Sequence, residues 1–332
     1  MIYEFALDPS LVVDWAVAGA GRFVGQFGID QRRLVSDFPR DWQGAVSGAF
    51  YKHFDYDDST LEFQNAQPLL SAYMQVLNDY VVARPVAFGD EKDWLTEAIA
   101  EHARRPFHAI MVANRVGAEP QVVITPTILD EIRDERWYLP TVVSSKKTAG
   151  EIAAALSPML SKARRIVLVD PYFNASKPRY TTSFAEIMKV IFSTADRVAQ
   201  PPEITILTGV QQSHKPSEGD FTPQQKASVA NDLCGKAISA LPRLMPKGVR
   251  VTFSCLQNPA FGDPLHNRFV LTEIGGVVVP YGLDDYDSEV AHDAKDDIQP
   301  MLKGIYEGRW RQYGEGKGVD LVGSPISIDG AG

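Results

Sequence analysis

Apolar residues in the first part of the chain recur mainly at intervals of three and four positions. This spacing runs from Leu11 to Arg104 and predicts several helices joined by loops marked by Asp and Pro. Two short apolar runs follow, His108–Asn114 and Gln121–Pro126, and Gly117–Pro120 between them predicts a loop joining paired strands. We predict a short helix over Thr127–Arg133. The region 1–147 is therefore expected to be mainly helical, with one short strand pair.

From Thr148 onward, helical spacing alternates with short runs of β-branched apolar residues. This alternation predicts a mixed sheet with helices packed on it, which is an α/β domain over residues 148–332. The predicted helices cover Thr148–Arg164, Thr181–Thr194 and Pro223–Leu244, and the predicted strands cover Arg165–Asp170, Glu203–Thr208 and Val249–Ser254, with two more near Arg268 and Val277.

Composition limits the classes of function. Hydrophobic residues make up 45% of the chain and charged residues 23%, as in soluble globular proteins. The formal net charge of -9 provides no general basic field, so we expect a polyanion to bind only in a local cleft. The chain shows no signal-like N-terminus, no apolar run of membrane-spanning length, and only two cysteines, Cys234 and Cys255. These features predict a cytoplasmic protein that does not associate with a membrane.

The stretch from Leu265 to Asp285 carries the candidate chemistry. His266 and Arg268 are two positions apart on a predicted strand, so we expect both side chains on one face. An imidazole beside a guanidinium suits a phosphodiester, because the imidazole can attack phosphorus or protonate the leaving oxygen. The cation then stabilises charge on the phosphoryl oxygens. Such chemistry requires neither a metal nor a cofactor.

This stretch resembles the motif of the phospholipase D-like phosphodiesterases, which has His-x-Lys, four residues, Asp and then a glycine-containing turn. The corresponding residues here are His266, Arg268 and Glu273, with Gly282 as the turn glycine. It is also similar to a His-Asp-Arg-Phe variant of bacterial members. The run Ile166–Tyr172 resembles the first core strand of such domains, and the whole resemblance extends from Arg165 to Asp285.

Several positions depart from the family pattern. Asn267 stands where the variant has Asp, Glu273 replaces Asp, and Asp284 takes the place of the turn's hydroxyl residue. We assign Asn267, Gly282 and Asp284 to substrate binding by this resemblance. His214 joins them because it lies in a loop that follows a predicted core strand.

The resemblance also implies the roles of the catalytic residues. His266 acts as nucleophile or general acid, Arg268 holds the phosphoryl oxygens, and either Glu273 or Asp170 orients the imidazole. Enzymes of this type use two histidines. The second would come from a symmetric homodimer, or from His108 within the chain.

The expected function is a nuclease acting on DNA or RNA, in a prokaryotic defence or DNA-processing system. An alternative is a catalytically degenerate scaffold that binds partner proteins through its N-terminal region. A lipid phosphodiesterase is less favoured, because the sequence contains no basic amphipathic helix.

Overall fold

The computed structural model describes residues 1–88, 92–114, 120–126, 134–210, 221–258, 265–285 and 294–332. The predicted helix at Thr127–Arg133 and most of the predicted loop at Gly117–Pro120 lie outside these residues. The chain forms two compact units, Ile2–Pro140 and Thr141–Gly332, the second of which also includes Met1. Both units are mixtures of helices and strands, so the α/β class predicted for the second half describes the whole chain.

The N-terminal unit is built on a five-stranded parallel sheet in the order β3-β2-β1-β4-β5. Its strands are β1 (Tyr3–Leu7), β2 (Arg33–Ser36), β3 (Val81–Val82), β4 (Ala109–Met111) and β5 (Val123–Ile124). Its helices are α1 (Pro9–Val17), α2 (Trp42–His53), α3 (Leu61–Asn78) and α4 (Trp94–Arg104).

The N-terminal region contains several helices, as predicted, but it also holds a five-stranded sheet where only one strand pair was predicted. Three of its strands are too short for a readable alternation, and β3 is only Val81–Val82. The expected strand pair exists as β4 and β5, but the two strands run parallel, with Ile110 opposite Val123. Parallel neighbours cannot be joined by a tight hairpin turn and need a longer connection. Both strands belong to the same sheet as β1, β2 and β3.

The C-terminal unit contains an eight-stranded mixed sheet in the order β13-β9-β8-β7-β10-β11-β12-β6. The strands are β6 (Val143–Lys146), β7 (Arg165–Val169), β8 (Glu203–Gly209), β9 (Arg250–Leu256), β10 (Phe269–Thr272), β11 (Gly275–Val278), β12 (Lys295–Pro300) and β13 (Ile326–Asp329). The helices are α5 (Ala149–Leu160), α6 (Pro178–Ile191), α7 (Ala195–Ala199), α8 (Pro223–Ala240) and α9 (Lys303–Arg309).

The centre of this sheet follows from the sequence pattern. Strands β7, β8 and β9 are parallel neighbours whose last residues are buried, as expected where helices connect successive strands. Strand β10 lies antiparallel to β7, with Phe269 opposite Val169. The unit begins before Thr148, because β6 pairs with β12 in the same sheet.

Candidate active site

Three segments meet at one edge of the C-terminal sheet. The loop after β7 begins at Asp170, where that strand ends, and the segment Leu265–Arg268 leads into β10. Because β10 is antiparallel to β7, its beginning lies beside the end of β7. The turn after β11 arrives at the same edge, since Phe269 is opposite Val278. The sheet topology thus brings together residues that are about a hundred positions apart in the sequence.

His266 and Arg268 do not lie on a strand, contrary to our prediction. Strand β10 begins only at Phe269, and the preceding segment is irregular. The neighbouring strand, β7, ends at Val169. Pro171 follows shortly after it and has no N–H group that could extend the hydrogen-bond ladder. As a result His266 and Asn267 are exposed and Arg268 is half-buried.

Tyr172 contacts both residues of the predicted motif. Its Oη lies 3.1 Å from Nδ1 of His266, within hydrogen-bonding distance. The Arg268 guanidinium stacks over the Tyr172 ring, with Cζ 4.6 Å from the ring centroid. Tyr172 follows the Asp-Pro pair that marked the first core strand, yet the sequence assigned it no role. Its position two residues after a strand-end aspartate was the only available signal.

The Arg268 side chain is held at the turn after β11. Its Nη1 donates a hydrogen bond to the Pro280 carbonyl at 2.9 Å, and Val279 N donates to the Arg268 carbonyl at 3.0 Å. Nε of Arg268 is buried and has no hydrogen-bond partner among the described residues. The guanidinium is therefore fixed in position by its own strand neighbour and retains unused donor capacity.

Asp170 joins two of the three segments. It is 1% exposed and accepts hydrogen bonds from the backbone amides of Tyr172, at 2.9 Å, and Leu283, at 3.1 Å. Burial raises the pKa of this carboxyl group, an effect opposed by the two amide hydrogen bonds and by the charge of Arg268. Asp170 thus lies next to Arg268, whereas the hydrogen-bonding partner that the structure gives to His266 is Tyr172.

Gly282 and Asp284 shape the turn. Gly282 has a φ of +88°, which favours glycine, and a Cβ there would lie 3.1 Å from Oδ2 of Asp170 and 3.4 Å from Nε of Arg268. The buried Lys147 donates to the Gly282 carbonyl at 2.7 Å and to Oδ1 of Asp284 at 3.1 Å. Both predicted residues therefore lie beside the motif, where they support the backbone. Lys147 was missed because nothing near it in the sequence indicates a site.

Glu273 lies at the opposite end of β10 from His266. Its carboxylate accepts hydrogen bonds from the backbone amides of Arg164, at 2.7 Å, and Arg165, at 2.8 Å, where β7 begins. The motif spacing placed a carboxylate five residues after Arg268, and the four residues of β10 carry it away from that edge. The structure does not bring Glu273 to the imidazole.

Two further histidines, His214 and His108, were predicted as possible site residues. His214 lies outside the described residues. His108 belongs to the N-terminal unit, where its ring contacts Tyr3 and Phe5 with centroids 4.2 and 5.3 Å apart. Its surroundings are aromatic, and its amide donates to the Glu4 carbonyl.

The described residues provide neither a metal-binding cluster nor a membrane-spanning helix. No group of three or more His, Cys, Asp or Glu side chains within the described ranges is arranged to hold a metal ion. In the same ranges, no helix combines the length and apolar character that crossing a membrane requires.

Comparison with known proteins adds no assignment. Neither the protein-family models nor the curated proteins gave a match to this chain. The resemblance to phospholipase D-like enzymes therefore rests on the residues of the sequence motif alone.

Proposed function

We propose that the C-terminal unit is a phosphodiesterase of the phospholipase D-like type that hydrolyses nucleic acid. The observation that carries the proposal is the group formed by His266, Tyr172 and Arg268 at one edge of the sheet. The imidazole is exposed, a hydroxyl group contacts one of its nitrogens, and a cation lies on the same tyrosine ring. A nucleophile and a phosphate-binding cation are therefore adjacent.

The chemistry follows from the tautomer of His266. When Nδ1–H donates to Oη of Tyr172, the lone pair of Nε2 is free to attack phosphorus. A P–N bond forms, the bond to the leaving oxygen breaks, and that oxygen takes a proton from a general acid. The intermediate is a nucleotidyl-histidine, because phosphorus keeps its second ester bond. Water then attacks phosphorus, passes a proton to the deprotonated general acid, breaks the P–N bond and releases His266. Arg268 stabilises the charge on the phosphoryl oxygens throughout.

The general acid is proposed to be His266 of a second copy of the chain. A twofold homodimer can place two identical motifs face to face, since such interfaces are self-complementary. The site contains the nucleophile and the cation in one chain, and its exposed histidine is open to a second copy. The reaction needs no metal in this scheme. We further propose that the enzyme acts in a prokaryotic defence or DNA-processing system.

The test is cleavage of labelled single- and double-stranded DNA and RNA by the full chain in EDTA, followed by acid-free peptide mapping. We expect cleavage of at least one polymer and a nucleotidyl adduct on the peptide that contains His266. Cleavage that stops in EDTA would contradict the metal-independent mechanism. No cleavage of any polymer would favour the alternative, a catalytically inactive scaffold that binds partner proteins.

Tyr172→Phe tests whether the hydroxyl group positions His266. Phenylalanine keeps the ring under the Arg268 guanidinium and removes only the hydrogen bond to Nδ1. We expect kcat to fall by about 10- to 100-fold with little change in KM, because partners that orient an active group have effects of that size. Nitrogen NMR of the His266 ring should show less of the Nδ1–H tautomer.

The matched control for this variant is Tyr56→Phe, since Tyr56 is 74% exposed and lies in the N-terminal unit. It should leave kcat and the His266 spectrum unchanged. A normal kcat and an unchanged tautomer in Tyr172→Phe would remove Tyr172 from the mechanism.

A further inference from the structure

The turn that binds the Arg268 side chain carries an exposed aromatic residue. The turn Val279–Gly282 follows β11 and is closed by a hydrogen bond from Gly282 N to the Val279 carbonyl at 3.0 Å. Tyr281 occupies this turn with 67% of its surface exposed. The peptide group that joins Pro280 to Tyr281 is the one whose carbonyl accepts the Arg268 hydrogen bond. A phosphate held by Arg268 would thus lie beside the turn that carries Tyr281.

Two buried side chains fix the backbone on either side of Tyr281. Tyr281 N donates to Oδ2 of Asp296 at 3.2 Å, and Asp296 is completely buried. The carbonyl of the following residue, Gly282, accepts a hydrogen bond from the buried Lys147 at 2.7 Å. A large ring exposed on a fixed backbone loses little conformational freedom when it binds a ligand, which favours its use as a contact surface.

Two aromatic residues of the C-terminal tail make contacts away from this turn. Tyr306, in the aromatic-rich tail, is 5% exposed and donates a hydrogen bond to the Thr272 carbonyl. The ring of Trp310 lies under the Arg165 guanidinium, at 5.0 Å. Among the described residues of this unit, Tyr281 alone combines a large aromatic side chain with high exposure. The tail therefore does not offer a second stacking surface of this kind.

Cationic groups also lie near this turn. The backbone carbonyl of Arg179, in the first turn of α6, accepts a hydrogen bond from Asp285 N at 2.9 Å, so the start of α6 and the loop before it are tied to the segment that follows the turn. The Arg179 side chain is 45% exposed and approaches Asp284 at 3.4 Å. Lys177, in the same loop, is exposed. A nucleic acid backbone can therefore meet positive charge here despite the net charge of -9.

We infer that Tyr281 is a stacking platform for the nucleobase beside the bound phosphate, and that the ligand is single-stranded nucleic acid. The inference rests on the proposed function. Stacking requires an open base face, which a single strand offers and the interior of a duplex does not. Because every base has such a face, the platform accepts DNA or RNA without a strong sequence preference.

The experiment measures binding by fluorescence anisotropy, in the His266→Ala background so that no oligonucleotide is cleaved. The probes are a labelled 12-nucleotide thymidine strand and a hairpin duplex, in about 0.1 M salt. Tyr281→Ala should weaken binding of the single strand by about 5- to 100-fold, the usual range for loss of one stacked base. Tyr281→Phe, which keeps the ring, should bind as its parent does.

Tyr56→Ala is the control for removing an exposed tyrosine outside the unit, and it should bind like the parent. Unchanged binding by Tyr281→Ala, equal or tighter binding of the duplex, or no binding of either probe would each overturn the inference. Hydrolysis of bis(p-nitrophenyl) phosphate by the wild-type chain tests the proposed function separately. If that ester is hydrolysed while the binding result fails, only the role of Tyr281 is lost.

Discussion

Replacing His266 by alanine is expected to lower kcat/KM for phosphodiester cleavage by about 10³-fold or more. The imidazole is the proposed nucleophile, and no other group among the described residues of this edge presents an exposed imidazole to phosphorus. Removal of a nucleophile leaves only the contribution of binding and charge stabilisation. The measurement is steady-state cleavage in EDTA of the polymer that the wild-type chain cuts.

Loss of activity must be separated from loss of folding. His266 is exposed, and its one hydrogen bond is to the half-buried Tyr172, so the variant should unfold at the same temperature as the wild-type chain. His53→Ala is the matched control, because His53 is an exposed histidine of the N-terminal unit. Equal activity of His266→Ala and His53→Ala would place the catalytic site elsewhere or reveal a contaminating nuclease.

Replacing Arg84 by methionine should lower the free energy of unfolding of the N-terminal unit by about 3–5 kcal/mol. The Arg84 guanidinium is fully buried and binds both carboxylate oxygens of Glu4, with Nη2 to Oε2 at 2.8 Å and Nε to Oε1 at 3.0 Å. It also pairs with the buried Glu101. The variant removes the Arg84 guanidinium from both buried carboxylates. Glu101 keeps its ion pair with Arg104, whereas Glu4 must either bear its charge in the interior without Arg84 or take up a proton.

Urea denaturation followed by tryptophan fluorescence measures this effect. Four of the five tryptophans lie in the N-terminal unit, so the signal reports mainly on its unfolding. Arg104→Met is the matched control: Arg104 pairs with the same Glu101 at 2.9 Å, but its side chain is 68% exposed. That variant should cost about 1 kcal/mol or less. Equal losses in the two variants would show that burial of the ion pair does not set its contribution.

The central helices and strands of the C-terminal unit were largely predictable, since their apolar spacing is regular, but β6, β12 and β13 were not predicted. The strand predicted at Arg165–Asp170 is β7, and the helix predicted from Pro223 is α8, which ends at Ala240. The site was predictable in part. His266, Arg268, Asp170, Gly282 and Asp284 do lie together, because the motif and the strand-end aspartate mark one edge of the sheet.

Other parts of the site could not be read from the sequence. Glu273 matched the motif spacing, but its carboxylate binds the amides of Arg164 and Arg165 at the far end of β10. Lys147 reaches Asp284 across more than a hundred residues of sequence. Such contacts depend on strand order and register, and local spacing carries no information about either.

The sequence by itself determined where the central helices and strands of the C-terminal unit form, and which two residues carry the candidate chemistry; it did not indicate β6, β12 or β13. Local apolar periodicity and the types of neighbouring side chains are sufficient for both. The tertiary structure alone decided that Tyr172 contacts His266, that Asp170 lies beside Arg268, and that the N-terminal unit contains a parallel sheet. These features arise from contacts between distant segments of the sequence. The short strands β3, β4 and β5, for example, gain stability only from neighbouring strands, which the local pattern does not identify.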